Sequence, residues 1–258
     1  MKRQSFIKCS FFACLLFLAG ETMAQGVVVY RKNGAPVKVP YSELDSISTY
    51  NYDEDPVIPG GGGQQGVLAC PDGNHPHMID LGLPSGTLWA CCNVGADKPE
   101  AYGDYYAWGE TNTKSTYSWS TYTHCDGSSS TCHNLGSDIA GTQYDVAHVK
   151  WGGSWVMPSK EQQDELRNNC TYEWTTVNGV KGGKFTSKAN GGSMFLPAAG
   201  DRSYSDLNYA GSRGDYWSST QGPSYTGYAY YLYFYSSGTR TDSDYRYDGR
   251  SVRPVVRN

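Results

Sequence analysis

The segment CPDGNHPH (70–77) sets Cys70, Asp72, His75 and His77 in close succession, and His133 follows Cys132. Such residues are zinc ligands. Their spacing fits no closed four-ligand module, and two prolines stiffen the segment, so no metal and no cofactor are expected. A hydrolase would need a nucleophile beside a base. All five histidines lie before residue 149, and none adjoins a G-x-S-x-G turn. His148 is the best lone base, and it reads as packing on a short helix. No carboxylate pair is marked for glycosidase work. The chain therefore reads as a non-enzyme with no catalytic residue.

The other residues that could do chemistry are tyrosines. Residues 201–248 hold half of the chain's 22 tyrosines, with serine, glycine and aspartate in most of the gaps. This is close to the composition of antibody combining sites, where rigid tyrosine supplies contact area and small polar residues adapt. Ordering tyrosine on binding costs little, because it has few rotatable bonds. Strand alternation across YAYYLYFYSS (228–237) puts Leu232 and Phe234 on one face, facing a core. Tyr231, Tyr233 and Tyr235 then point outward. Burying three unpaired hydroxyls would cost roughly 1–3 kcal/mol each. The expected ligand surface comprises Tyr204, Asp206, Asn208, Tyr209, Arg213, Asp215, Tyr225, Tyr231, Tyr233, Tyr235, Arg240, Asp242, Asp244, Tyr245 and Tyr247.

What must position this surface is a strand-rich domain. The chain has 258 residues, a formal charge of -4, and only 18% charged residues. That balance gives no basic footprint for nucleic acid and no polybasic membrane patch. Lys2, Arg3 and Lys8 precede the apolar run FFACLLFLAG and then ETMAQG, a secretory signal peptide (1–24) cleaved after Ala24. The run is too short for a permanent transmembrane segment. VLAC (67–70) looks like a lipobox but lies too deep in the chain to anchor it. The expected location is extracellular, cell-surface or periplasmic.

Of eight cysteines, Cys9 and Cys14 leave with the signal. An even number remains, which in an exported chain argues for disulfides. Cys125 and Cys132 bracket a short polar loop and are expected to pair. Cys91 and Cys92 point to opposite sides of an extended segment, which suggests Cys70–Cys91 and Cys92–Cys170.

Residues 25–52 read as a small β-hairpin-like leader with a turn at Asn33-Gly34, and 53–66 as an acidic, glycine-rich linker. The main domain spans 67–258. Its clearest helix begins at Ser159, an N-cap with Gln162 completing a capping box, and ends at Asn168 and Asn169. Shorter helices are expected from Asp97 and up to Trp151. After Thr186 the pattern is strands and turns, so the fold class is α+β with few short helices and a strand-rich C-terminal half. Trp89, Trp108, Trp151, Trp155 and Trp217 are expected in the core, and Arg250 and Arg253 as structural clamps.

The ordered set IDLGLPSGTLWACCNVGA (79–96), YGDYYAWGET (102–111), WGGSWVMPSKEQ (151–162), FLPAAG (195–200), YWSS (216–219) and GRSVRPV (249–255) resembles the Fibrobacter succinogenes major paralogous domain family, over Met78 to Val256. The leader resembles short segments ahead of surface proteins of Bacteroidetes-type bacteria. The family resemblance implies a C-type-lectin-like fold, in the branch shared with formylglycine-generating enzymes and with variable proteins of diversity-generating retroelements. Formylglycine-generating enzymes use cysteines in the C-terminal part, and this chain has none after Cys170. The calcium-binding EPN, QPD and WND signatures of C-type lectins do not occur either, so a lectin-like fold does not license lectin activity. The variable proteins diversify a similar C-terminal segment. The function expected is a secreted or surface-exposed adhesin- or receptor-like protein that binds a protein or glycan, and a target of such a retroelement. The alternatives are a structural subunit of a surface appendage, and an enzyme of formylglycine-generating-like fold.

Overall fold

The computed structural model describes residues 15–16, 26–29, 37–40, 76–223 and 226–256, the first three as backbone strands. The chain divides into two compact units, Met1–Ile58 and Pro59–Asn258. In the first, β1 (Leu15–Leu16), β2 (Gly26–Val29) and β3 (Val37–Pro40) form an antiparallel sheet in that order, with Val27 opposite Val39. Most of the expected signal peptide, the 53–66 linker, Cys70 and Tyr225 lie outside the described residues.

The second unit is strand-rich with few helices. Its ends meet in a sheet of order β4-β5-β16-β6, from β4 (Met78–Asp80), β5 (Leu88–Ala90), β16 (Val255–Val256) and β6 (Trp155–Val156). Arg253 secures this closure. Its buried guanidinium donates to Asn93 Oδ1 and to the carbonyls of Ala90, Cys91, Pro99 and Phe195.

Helix α1 (Val146–Trp151) is capped by Asp145, a fully buried carboxylate. It accepts from the backbone N–H groups of Gly141, Ala147, His148 and Met157. Helix α2 (Lys160–Asn169) carries the Ser159/Gln162 capping box. The segment from Asp97 forms a turn, not a helix. It contributes a single Ala101 N–H to Lys98 carbonyl bond, and helices this short are not self-sustaining. Among the described residues, no helix is long and apolar enough to cross a membrane.

Strands β7 (Cys170–Val177) and β8 (Val180–Ser187) form a hairpin, with β9 (Ser193–Pro197) beyond. Its two-residue turn has Asn178 and Gly179 both at positive φ, which suits the strand twist. Strands β10 (Asp201–Ser203), β11 (Asp206–Asn208) and β15 (Gly249–Arg250) form a small sheet. Strands β12 (Gly214–Gln221), β13 (Tyr228–Tyr235) and β14 (Gly238–Tyr245) form the sheet that organises the domain.

Both faces of this last sheet are covered. On one, Leu232 and Phe234 join Leu81, Trp89, Leu166, Phe185, Leu196 and Val255. Phe234 sits so close to Gly214 that a Cβ there would overlap its ring. On the other face, Trp217, Ala229, Tyr231 and Tyr233 pack with Trp108, Ile139, Val146, Met157 and Val252. Trp89, Trp108 and Trp217 are thus core anchors. Trp151 and Trp155 are only half-buried and pack edge-to-face on each other.

Cys125 and Cys132 form a disulfide. The Cys92–Cys170 pairing does not form. Cys170 is a reduced thiol at the junction of α2 and β7, turned into the core beside Leu166 and Phe185, and burial pushes its pKa up to about 11. The Cys70–Cys91 pairing falls outside the described residues.

Candidate functional site

Antiparallel register gathers the predicted residues. Tyr233 lies opposite Asp215 of β12 and Arg240 of β14, and Tyr231 opposite Trp217 and Asp242. Asp244 pairs with Ala229, and Tyr235 with Gly238. Directly opposed residues share a face, so Asp215, Tyr231, Tyr233, Tyr235, Arg240, Asp242 and Asp244 all belong to one side of the sheet. The three tyrosines stack as a ladder, with ring centroids 5.8 Å and 5.9 Å apart.

This face is not open along its length. Tyr231 is 7% exposed and Tyr233 9%, whereas Tyr235 is 41% exposed. The alternation is as expected, but the two inner rungs are covered. The cover is the Trp108–Trp217 core cluster together with three arginines. Arg250, from β15, is sandwiched between Tyr231 (3.7 Å to the ring centroid) and Trp217 (4.4 Å). Arg240 lies 4.5 Å from the Tyr233 ring and Arg213 5.9 Å. Guanidinium groups stack well on aromatic faces, so ring area that would otherwise meet water is buried against them. Two further surface expectations are corrected. Asp215 is fully buried beneath Arg213, and Tyr247 is buried against Trp119 and Tyr245.

The arginines are held by carboxylates. Arg213 bonds Asp215 and Asp201, each at 2.8 Å, and lies 4.2 Å from the Tyr209 ring. It thereby joins the β10–β11 hairpin to the sheet. Arg250 bonds Asp244 at 2.6 Å and Asp248 at 3.4 Å. Burial alone would lower the Arg250 pKa; Asp248, Asp215 and Asp244 outweigh it and hold it higher than usual. Burial pushes Asp248 up to about 7, against the attraction of Arg250, and pushes Tyr231 up to about 12. Oδ1 of Asp215, Oδ1 of Asp248, and Nε and Nη1 of Arg250 are sealed without a hydrogen-bond partner.

The exposed part of the site is the hairpin and the sheet's outer end. Tyr204 is 61% exposed and Tyr209 59%, with Leu207 and Asp206 also exposed between them and Asn208 half-buried. Both tyrosines stand at positive φ, 53° and 58°, which is rare for a bulky residue and marks a strained, fixed backbone. Tyr204 is held by two backbone bonds to Tyr117, and the Tyr209 carbonyl accepts from Ser212 and Arg213 N–H groups. The Tyr172 hydroxyl donates to the Tyr235 carbonyl at 2.7 Å. The hydroxyls of Tyr209, Tyr231, Tyr233 and Tyr235 have no partner among the described residues.

Sequence reasoning missed Trp119. Its ring stands edge-on to Tyr245 (5.3 Å) and Tyr247 (4.8 Å), with Tyr204 next to Tyr247 at 6.3 Å. The available signal was TYSWSTY (116–122), the same tyrosine-serine mixture as the C-terminal quarter. Also missed was an open groove of about 440 Å³ between residues 109–124 and Gln143-Tyr144.

Of the metal candidates in CPDGNHPH, only His77 is among the described residues. Among those residues, no group of three or more His, Cys, Asp or Glu is placed to hold a metal ion. His148 sits on α1 with a sealed, unpartnered Nδ1.

A family model described as a domain of unknown function (DUF8237) matches residues 169–255, which include the tyrosine face but not the groove. No curated protein and no solved structure matches the chain.

Proposed function

We propose that this chain is an exported, non-enzymatic ligand-binding protein, adhesin- or receptor-like, whose contact surface is the rim around Tyr204, Tyr209 and Tyr235. The observation that carries the reading is the pair Tyr204 and Tyr209: large, solvent-exposed rings on strained backbone, held in place by hydrogen bonds and, for Tyr209, by the Arg213 guanidinium. A folded protein gains little by displaying strained tyrosines to water. Such strain is common at ligand clamps, and rigid aromatic anchors dominate binding hot spots. The inner rungs Tyr231 and Tyr233 serve as support that fixes Tyr235, Arg213 and Arg240.

Export rests on the N-terminal segment and its basic flank. The C-type-lectin-like fold rests on the ordered motifs and on the domain's closure by its own ends in the β4-β5-β16-β6 sheet. Membership among retroelement-diversified proteins rests on the composition of 201–248. It requires, in neighbouring DNA, a near-identical repeat differing mainly at adenines.

A combined protein and glycan array probed with the full chain tests the function. Ligands retained by the protein and lost by a Tyr204→Ser/Tyr209→Ser/Tyr235→Ser variant support it. Concentration-dependent self-association that the same substitutions abolish, with no array ligand, would favour an assembly subunit instead.

A further inference from the structure

The groove beside residues 109–124 lies apart from the tyrosine-rich segment in sequence, and its lining has a different chemistry. Its two charges cancel: Glu110 Oε2 bonds Lys114 Nζ at 2.7 Å. Glu110 Oε1 accepts from both the backbone N–H and the hydroxyl of Thr123. Lys114 also donates to the Thr121 carbonyl and lies over the Tyr117 and Tyr122 rings. Nothing ionic is left over to select a charged ligand.

What remains is neutral and polar. The amides of Asn112 and Gln143 line the groove, are exposed, and have no partner among the described residues. Each amide offers donors and an acceptor, which complements hydroxyl groups that do the same. Tyr144 adds an aromatic ring, braced edge-to-face by His124 at 5.3 Å. His124 Nε2 donates to the Gly109 carbonyl, which fixes that ring. The groove's volume is that of a small-ligand site.

We propose that this groove binds a neutral, hydroxyl-rich ligand, a saccharide, independently of the tyrosine surface. Asn112 and Gln143 hydrogen-bond its hydroxyls, and the Tyr144 ring packs on its less polar face.

Saturation-transfer NMR of the full chain with maltotriose, cellotriose and mannotriose tests this. Transfer to at least one is expected. An Asn112→Ala/Gln143→Ala variant should weaken it about tenfold or more, with an unchanged thermal midpoint. Tyr204→Ser/Tyr209→Ser/Tyr235→Ser should leave it intact, which separates this site from the one above. Absence of transfer from all three sugars overturns the proposal. So does transfer that survives the groove substitutions or disappears with the tyrosine ones.

Discussion

Replacing Asp248 by asparagine should stabilise the protein at pH 8 and have its smallest effect near pH 4. Asp248 is 6% exposed and has one sealed, unpartnered oxygen. Burial moves its pKa from 3.8 to about 7. Between those values the folded chain holds a proton that the unfolded chain has released. This group's stabilisation is therefore fully present below the unfolded pKa and is lost as pH rises through 7. The displacement corresponds to about 4 kcal/mol. Other groups titrate nearby. Burial raises Asp215 as well, with the same sign. Burial lowers His124, whose contribution is lost on acidification instead. Both are common to the two proteins, so their difference isolates Asp248. Arg250 keeps its 2.6 Å bond to Asp244 in the variant. Urea unfolding from pH 4 to pH 8.5 is the assay. The variant's advantage should grow across the interval towards about 4 kcal/mol. A pH-independent difference would show that the Arg250 attraction cancels the cost of burial, and an advantage that shrinks as pH rises would show that it exceeds it.

Other substitutions test the frame. Asp145→Ala strands four backbone N–H groups, those of Ala147 and His148 in the first turn of α1 and those of Gly141 and Met157 outside it, and should cost about 3 kcal/mol or more by denaturant unfolding. Phe234→Ala empties the core face of β13 and should cost about 3–5 kcal/mol, whereas Tyr235→Ala, two rungs from the sealed end, should stay within about 1 kcal/mol. Under non-reducing conditions, peptide mapping should recover Cys125 linked to Cys132, and Cys170 should alkylate only after unfolding.

Local signals in the sequence carried well. The capping box at Ser159 and Gln162 marks the start of α2, because both partners lie within one turn. Period-two alternation correctly separates Leu232 and Phe234 from Tyr231, Tyr233 and Tyr235. It does not say what covers the second face, because Trp217, Arg213 and Arg250 come from other strands and segments and carry no local mark. A single strand's pattern thus identifies a ladder, but only tertiary packing decides that Tyr231 and Tyr233 are buried while Tyr235 is not. The pairing of Cys170 with Cys92 fails for the same reason: the direction of its side chain is set by α2 docking on the core. The groove has no periodic signature, since it is built from loops.

The proposed contact role of Tyr204, Tyr209 and Tyr235 is read out by the affinity of an array-identified ligand for the parent chain and for Tyr204→Ser/Tyr209→Ser/Tyr235→Ser. These side chains are exposed, so the variant should unfold at nearly the parent's temperature. If each ring contributes about 1 kcal/mol or more, affinity should fall at least about 100-fold. Unchanged affinity in a folded variant would rule out a contact role for these three rings.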